Sequence, residues 1–161
     1  AHTTVTMVAE RAGVQRHTFY KHFPDERSLL LACSGLAQER DPMPAAEPWR
    51  AIADREGRLR RALGEVYAWY ARNAGLMACV TRDAQSHALT REIAELRSGP
   101  VIAAYLEVLG GNSGPLGLAA LRLALSFHSW NTLVREAGLP CEEAVEVMVR
   151  AVLAAESVPA A

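Results

Sequence analysis

Little in this chain offers covalent or metal cross-linking. Only three cysteines occur among 161 residues, Cys33, Cys79 and Cys141. The number is odd and no two stand at CxxC spacing, so neither a disulfide framework nor a cysteine zinc site is expected. They read as small buried thiols. Long apolar runs are also missing: unbroken hydrophobic stretches reach only a handful of residues, far short of the ~20 that a spanning helix needs. Ala1-His2-Thr3-Thr4 has neither the basic start nor the apolar core of a secretory signal. No membrane partner and a cytoplasmic location are therefore expected. Net charge is nearly absent too, at −1 with a pI of about 6.6. Binding driven by counterion release needs clustered Lys and Arg, so the chain average excludes a generally basic nucleic-acid coat. There is no internal repeat, and no sustained period-two alternation bounded by hairpin turns, which leaves no sheet to build.

What is present is helical periodicity almost throughout, with abundant alanine and leucine, both strong helix formers. An all-α fold follows. Half of the residues are hydrophobic (50%) and 22% are charged, which suits one compact soluble domain or two small ones. The Pro-rich stretch Asp41-Pro42-Met43-Pro44-Ala45-Ala46-Glu47-Pro48 is the best boundary. It separates an N-terminal unit, residues 1–40, from a helical body, residues 49–161. Further breakers are expected at Gly75, Gly99-Pro100, the Gly-rich stretch 110–115 and Gly138-Leu139-Pro140. The N-terminal unit holds five bases and four acids, against 12 and 14 in the remainder, and three of the five histidines, His2, His17 and His22.

In the body, residues 55–73 place Leu59, Leu63, Val66, Tyr67, Tyr70 and Ala74 on one side, with Arg58, Arg61, Glu65 and Arg72 largely opposite. Residues 116–137 read as one helix with two apolar stripes, Leu118/Leu121/Leu125/His128 and Leu123/Phe127/Trp130/Val134. The last segment opens on Pro140-Cys141-Glu142-Glu143, with acids in the first turn as the helix dipole favours. It shows Val145, Met148 and Val152 on one side and Val147, Ala151 and Ala154 on an adjoining one. Apolar faces this wide on the last two helices exceed what a small monomer core needs and predict a homodimer through a two-fold helix-pair interface.

The segment 4–23 carries the chemistry. Thr4 can cap a helix whose inward residues are Val5, Val8, Ala9 and Ala12. Gly13 ends it in the left-handed conformation of a tight turn, and Val14 plugs the turn. A second short helix presents Gln15, Arg16, His17 and Lys21 outward, with Phe19 and Phe23 inward at a spacing of four. This is the layout of a helix-turn-helix, whose second helix enters the major groove.

At these residues the chain resembles the TetR family of transcriptional regulators. The resemblance runs over Thr4-Val5-Thr6-Met7-Val8-Ala9-Glu10-Arg11-Ala12-Gly13-Val14, then Thr18-Phe19-Tyr20-Lys21-His22-Phe23-Pro24 and Arg27-Ser28-Leu29-Leu30. It implies that Thr6, Arg16, His17 and Lys21 face bases, and that Thr4, Thr18, Tyr20 and His22 contact phosphate or sugar. Arg16 and Lys21 can donate to guanine acceptors, while hydroxyls and imidazole suit phosphate oxygens. Arg16 is the first choice for specificity. The partners so implied are double-stranded operator DNA, read as two half-sites about 34–36 Å apart, and a small-molecule effector whose binding releases a repressor. Two departures stand against the pattern. Asp25-Glu26 occupies a place where many relatives put a phosphate-holding lysine. The family's first helix has no counterpart in the 161 residues, so the chain is expected to be a piece of a longer product.

For the effector site the resemblance implies a cavity among the body helices, with Tyr67, Tyr70, Met77, His87, Tyr105, Phe127 and Trp130 as candidate lining. Taken singly, each aromatic reads as plain core, and His87 and His128 read as satisfied structural histidines. No cofactor and no metal are expected, since neither body histidine has a second ligand at convincing spacing. Ser126-x-His128 does not make a hydrolase: residues two apart on a helix point different ways, and no Gly-x-Ser-x-Gly elbow accompanies them. An enzyme is not expected. The alternative is a helical small-ligand-binding or protein-interaction dimer that does not bind DNA, and the absence of a steep salt slope would distinguish it.

Overall fold

The computed structural model describes residues 5–111 and 113–158. Among them the chain is all helix: α1 (Val5–Arg11), α2 (Arg16–His22), α3 (Glu26–Arg40), a 3-10 turn (Glu47–Ala51), α4 (Arg55–Ser86), α5 (Ala88–Gly110), α6 (Pro115–Ala124), α7 (Phe127–Trp130) continuing as a π-helix (Asn131–Glu136), and α8 (Cys141–Glu156). No helix among the described residues is long and apolar enough to cross a membrane. The chain divides into two compact units, Ala1–Pro42 and Met43–Ala161.

In the first unit the turn after α1 is built by its glycine. Gly13 has φ +68°, its N–H bonds to the Glu10 carbonyl at 3.1 Å, and the Val14 N–H reaches back to Ala9 at 3.0 Å. This pair of bonds is a Schellman motif, which satisfies carbonyls the helix end would leave open. Ala9, only 1% exposed, is the small residue over which α2 crosses. Ala12 and Val14, expected to face inward, are exposed. Both line an open apolar groove shared with Val8, Phe19 and Phe23. Helix α2 stops at Phe23, because the following Pro24 disfavours helical backbone at its predecessor; Phe23 sits at φ −127°, ψ 83°.

The second unit is organised around α4. Leu59, Leu63, Val66, Tyr67 and Tyr70 are buried along it, against Tyr105, Val108 and Leu109 of α5, Leu121 and Ala124 of α6 and Val145, Val149 and Val152 of α8. The segment before α4 is fastened by Trp49. Its indole N–H donates to Glu65 at 2.9 Å and its ring lies 4.9 Å from that of Tyr105, whose hydroxyl donates to the Pro44 carbonyl at 2.5 Å. Arg55, at the start of α4, pairs with Glu156 at the end of α8, and Ser113 Oγ donates to the same carboxylate at 2.5 Å. Burial pushes the Glu156 carboxyl up, but hydrogen bonds from Arg55 and Ser113 and the Arg55 charge outweigh it, leaving the group below the usual carboxylate range.

Several expected breaks do not occur. Helix α4 runs through Gly75 to Ser86 and bends at Asn73 (φ −106°, ψ 15°), where the Asn73 amide donates to the Trp69 carbonyl at 3.1 Å. Helix α5 runs through Gly99 and Pro100. Both residues lie on an exposed stretch, where water can take up the carbonyl that proline leaves without a donor. Conversely, the single helix expected over 116–137 is broken at Leu125-Ser126. Ser126 caps α7 by accepting from the His128 N–H at 3.1 Å. The Ala124 and Leu125 carbonyls at the break accept from the hydroxyls of Tyr67 and Tyr70, at 3.0 and 2.6 Å. The cysteines are likewise corrected: Cys33 and Cys79 are exposed, and Cys141 is half-buried at the margin of the core.

Candidate nucleic-acid interface

Helix α2 is seven residues long, and its register follows from two aromatics. Phe19, 6% exposed, packs beside Phe23 with ring centroids 5.2 Å apart, which fixes the inward side. At 3.6 residues per turn, His17 and Lys21 share the opposite ridge, flanked by Arg16 and Tyr20 on one side and Thr18 and His22 on the other. Burial agrees: Gln15, Arg16, His17, Tyr20, Lys21 and His22 are exposed and Thr18 is half-buried. Tyr20 meets Phe19 edge to face at 6.1 Å, so its ring is braced while its hydroxyl end stays in solvent. His17 Nδ1 lies 3.4 Å from the Thr18 hydroxyl. Gln15 is the helix N-cap with extended backbone (φ −71°, ψ 147°) and makes no side-chain cap bond. Thr6 is half-buried on α1. Thr4 lies outside the described residues.

The acidic pair after α2 has a local structural use that sequence reading missed. Asp25 is the N-cap of α3: its carboxylate accepts from the Ser28 N–H at 2.7 Å, while the Asp25 N–H reaches Ser28 Oγ at 3.4 Å. This capping box holds the Asp25 carboxyl below its ordinary range, through the Ser28 backbone bond first and the Ser28 hydroxyl second. Glu26 stands in the first turn of α3, where the helix dipole favours an acid. The spacing Asp25-x-x-Ser28 was the available signal.

Beside α2 an apolar groove of about 370 Å³ opens between Val8, Ala12, Val14, Phe19, Phe23 and Leu29, with Thr18, His22 and Cys33 at its polar margin. Leu29 and Cys33 belong to α3 and enter the site only through the tertiary fold.

The body candidates separate into four places. Tyr67, Tyr70, Phe127 and Trp130 come together: Tyr70 lies 6.3, 5.5 and 6.1 Å from Tyr67, Phe127 and Trp130, ring centroid to ring centroid. Tyr105 lies instead against Trp49, the two rings tilted by 50°, and Met77 packs at the margin of the core. His87 caps α5, its Nδ1 accepting from the Thr90 N–H at 3.3 Å. Each of the three tyrosine hydroxyls is spent on a main-chain carbonyl. Burial pushes Tyr70 up to about 12 and raises Tyr67 and Tyr105 as well.

Comparison with known proteins bears on the first unit. No curated protein and no solved structure matches the chain. Residues 1–33 match the family model described as bacterial regulatory proteins, tetR family. That span takes in α1, the glycine turn and α2, whose outward row of Arg16, His17, Tyr20 and Lys21 is the geometry a groove-reading helix requires. In its first 33 residues the chain is thus similar to the N-terminal region of the bacterial regulatory proteins of the tetR family, and the described part of that span is built as a helix-turn-helix.

Proposed function

We propose that the chain acts as a dimeric transcriptional repressor that leaves its operator when a small molecule binds within the helical body. The observation that carries the DNA-reading part is the α2 surface, where a guanidinium, an ammonium, a phenol and two imidazoles stand exposed on a helix braced by Phe19. Thr6, Arg16, His17 and Lys21 would read base edges, and Thr18, Tyr20 and His22, with Thr4, would hold phosphates. The DNA-reading unit, residues 1–40 in this proposal, is separate from an effector and dimerisation domain, residues 49–161.

Dimerisation is supported by apolar side chains left in solvent on neighbouring helices. Leu116 and Leu123 of α6 are 54% and 58% exposed, and Val147 of α8 is 43% exposed, with Ala151 and Ala154 exposed one and two turns further along. A second copy presenting the same face would cover them across a two-fold axis. The effector would bind beside the Tyr67, Tyr70, Phe127 and Trp130 cluster, and its leverage equals its differential affinity for the two states of the body.

The test is selection of a duplex from a random 30-base-pair pool, followed by affinity measurement against salt. A steep negative slope of log affinity on log salt is expected, and Arg16→Ala should cost about 1–3 kcal/mol at one base position. Unchanged affinity and base preference in Arg16→Ala would remove its assigned role. Light scattering of Leu123→Glu should show monomers where the parent chain is dimeric; an unshifted mass refutes the proposed interface.

A further inference from the structure

Four of the seven residues of α2 are permanent or potential cations: Arg16, His17, Lys21 and His22. Two keep their charge at all physiological pH, and two are imidazoles, whose charge changes between pH 5 and 8. Both imidazoles are exposed on the helix, His17 on the outermost ridge beside Lys21 and His22 at its far end beside the apolar groove. Neither forms an ion pair among the described residues; the partner of His17 is the neutral Thr18 hydroxyl.

The surrounding charges leave these two groups open to an outside anion. On α2 itself the neighbours are Arg16 and Lys21. On α1 the exposed charges are Glu10 and Arg11, and at the start of α3 they are Asp25, Glu26 and Arg27. The Asp25 carboxylate is held by the Ser28 N–H in the cap. The titratable group across the groove from His22 is the Cys33 thiol.

We propose that DNA binding by this chain is proton-linked, with His22 taking up a proton at the phosphate it holds and His17 taking one up in the groove, where guanine acceptors face it and phosphates line both edges. The proposal rests on the DNA-binding reading above. A phosphate within about 4–6 Å favours the protonated imidazole, so the complex holds more protons than the free chain. Affinity must then rise as pH falls, by up to about tenfold per pH unit for each proton taken up. Uptake by both imidazoles raises the formal charge of bound α2 from two to four, and a two-fold assembly doubles the effect. The partner recognised at low pH is still a polyphosphate duplex; only the strength of its electrostatic hold changes.

The experiment measures affinity for the duplex selected from the random pool at pH 6.0, 7.0 and 8.0 and fixed ionic strength. The parent chain should bind at least about tenfold more tightly at pH 6.0 than at pH 8.0, with a salt slope steeper at pH 6.0 by about 0.9 for each added phosphate contact. The double variant His17→Gln, His22→Gln should vary less than about twofold across the range, and His128→Gln in the body should keep the parent profile. The double variant His17→Lys, His22→Lys carries the two charges permanently and should bind at pH 8.0 as tightly as the parent does at pH 6.0. A flat parent profile, a slope retained without the two histidines, or a slope retained with two lysines overturns the proposal. Absence of salt-dependent binding at every pH overturns the DNA-binding reading beneath it as well, so the two failures are separable.

Discussion

Removing one oxygen atom from Tyr70 should destabilise the helical body by about 1–3 kcal/mol. Helix α6 ends and α7 begins at Leu125-Ser126. A helix end leaves carbonyls without their usual donors, and here the break lies in the core, with Ala124 and Leu125 at most 3% exposed. Tyr70 donates to the Leu125 carbonyl at 2.6 Å and is itself 3% exposed. In Tyr70→Phe the ring still fills its place among Tyr67, Phe127 and Trp130, so the loss is confined to one buried acceptor left without its donor. The cost of such an orphan exceeds the net worth of an ordinary hydrogen bond, which is why about 1–3 kcal/mol is expected rather than a few tenths. For a unit of this size that corresponds to a fall of roughly 4–12 °C in melting midpoint. Thermal unfolding followed by far-UV circular dichroism reads it directly. Tyr20→Phe is the control, because Tyr20 is exposed and its hydroxyl has no buried partner; its midpoint should stay put. A midpoint for Tyr70→Phe within about 1 °C of the parent chain would show that the carbonyls at the break are satisfied some other way, and the account of the break would fail.

Gly13→Ala places a side chain at φ +68° with no atom within 4 Å to obstruct it, so backbone strain alone is tested. The expected cost is about 1–2 kcal/mol, smaller for Gly13→Asn, because asparagine tolerates the left-handed region; equal unfolding curves for the two variants would contradict the turn assignment. Glu156 supplies a pH dependence. Its carboxyl is lowered in the folded chain, so its contribution is present above the unfolded value near 4.3 and is lost as pH falls through the lower, folded value. Acid unfolding of Glu156→Gln should therefore be flatter below about pH 4.5 than that of the parent chain, and an identical acid limb would remove the Arg55–Glu156 pair from the account.

What could be read from the residues depended on how local the cause was. The α1–α2 turn needs only Gly13 and the backbone around it, and the outward face of α2 needs only Phe19 and Phe23 four apart. Those features are short-range and were legible. The break at Leu125-Ser126 was not, because it is stabilised by Tyr67 and Tyr70, 55 or more residues away along the chain. A period count over 116–137 sees continuous apolar stripes and has no term for a distant hydroxyl. Gly75 and Pro100 failed as breakers for the converse reason: packing of α4 and α5 on the core outweighs a local preference of about 1 kcal/mol for glycine, and solvent relieves the proline. Asp25 shows a third limit. It was read only as standing in the place of a phosphate-holding lysine, when its side chain is engaged three residues away by Ser28.

The near-zero net charge is a sum of 17 bases and 18 acids, and it hides where the acids are used. In the body they face arginines of the same body: Glu47 and Glu107 with Arg50, Glu56 and Glu146 with Arg60, Glu65 with Arg61, and Glu156 with Arg55. The exposed pairs among them, all but the part-buried Arg55–Glu156, contribute about 0–1 kcal/mol each, too little to explain the fold, but they cancel one another's fields within a few ångströms. In the first unit the acids nearest α2 in sequence cap and open α3, whereas the cations of α2 have no carboxylate partner on their own helix. Charges beyond about 8–10 Å are screened at physiological salt. A phosphate approaching α2 is therefore governed by Arg16, His17, Lys21 and His22, and the sum over 161 residues has little bearing on what it meets.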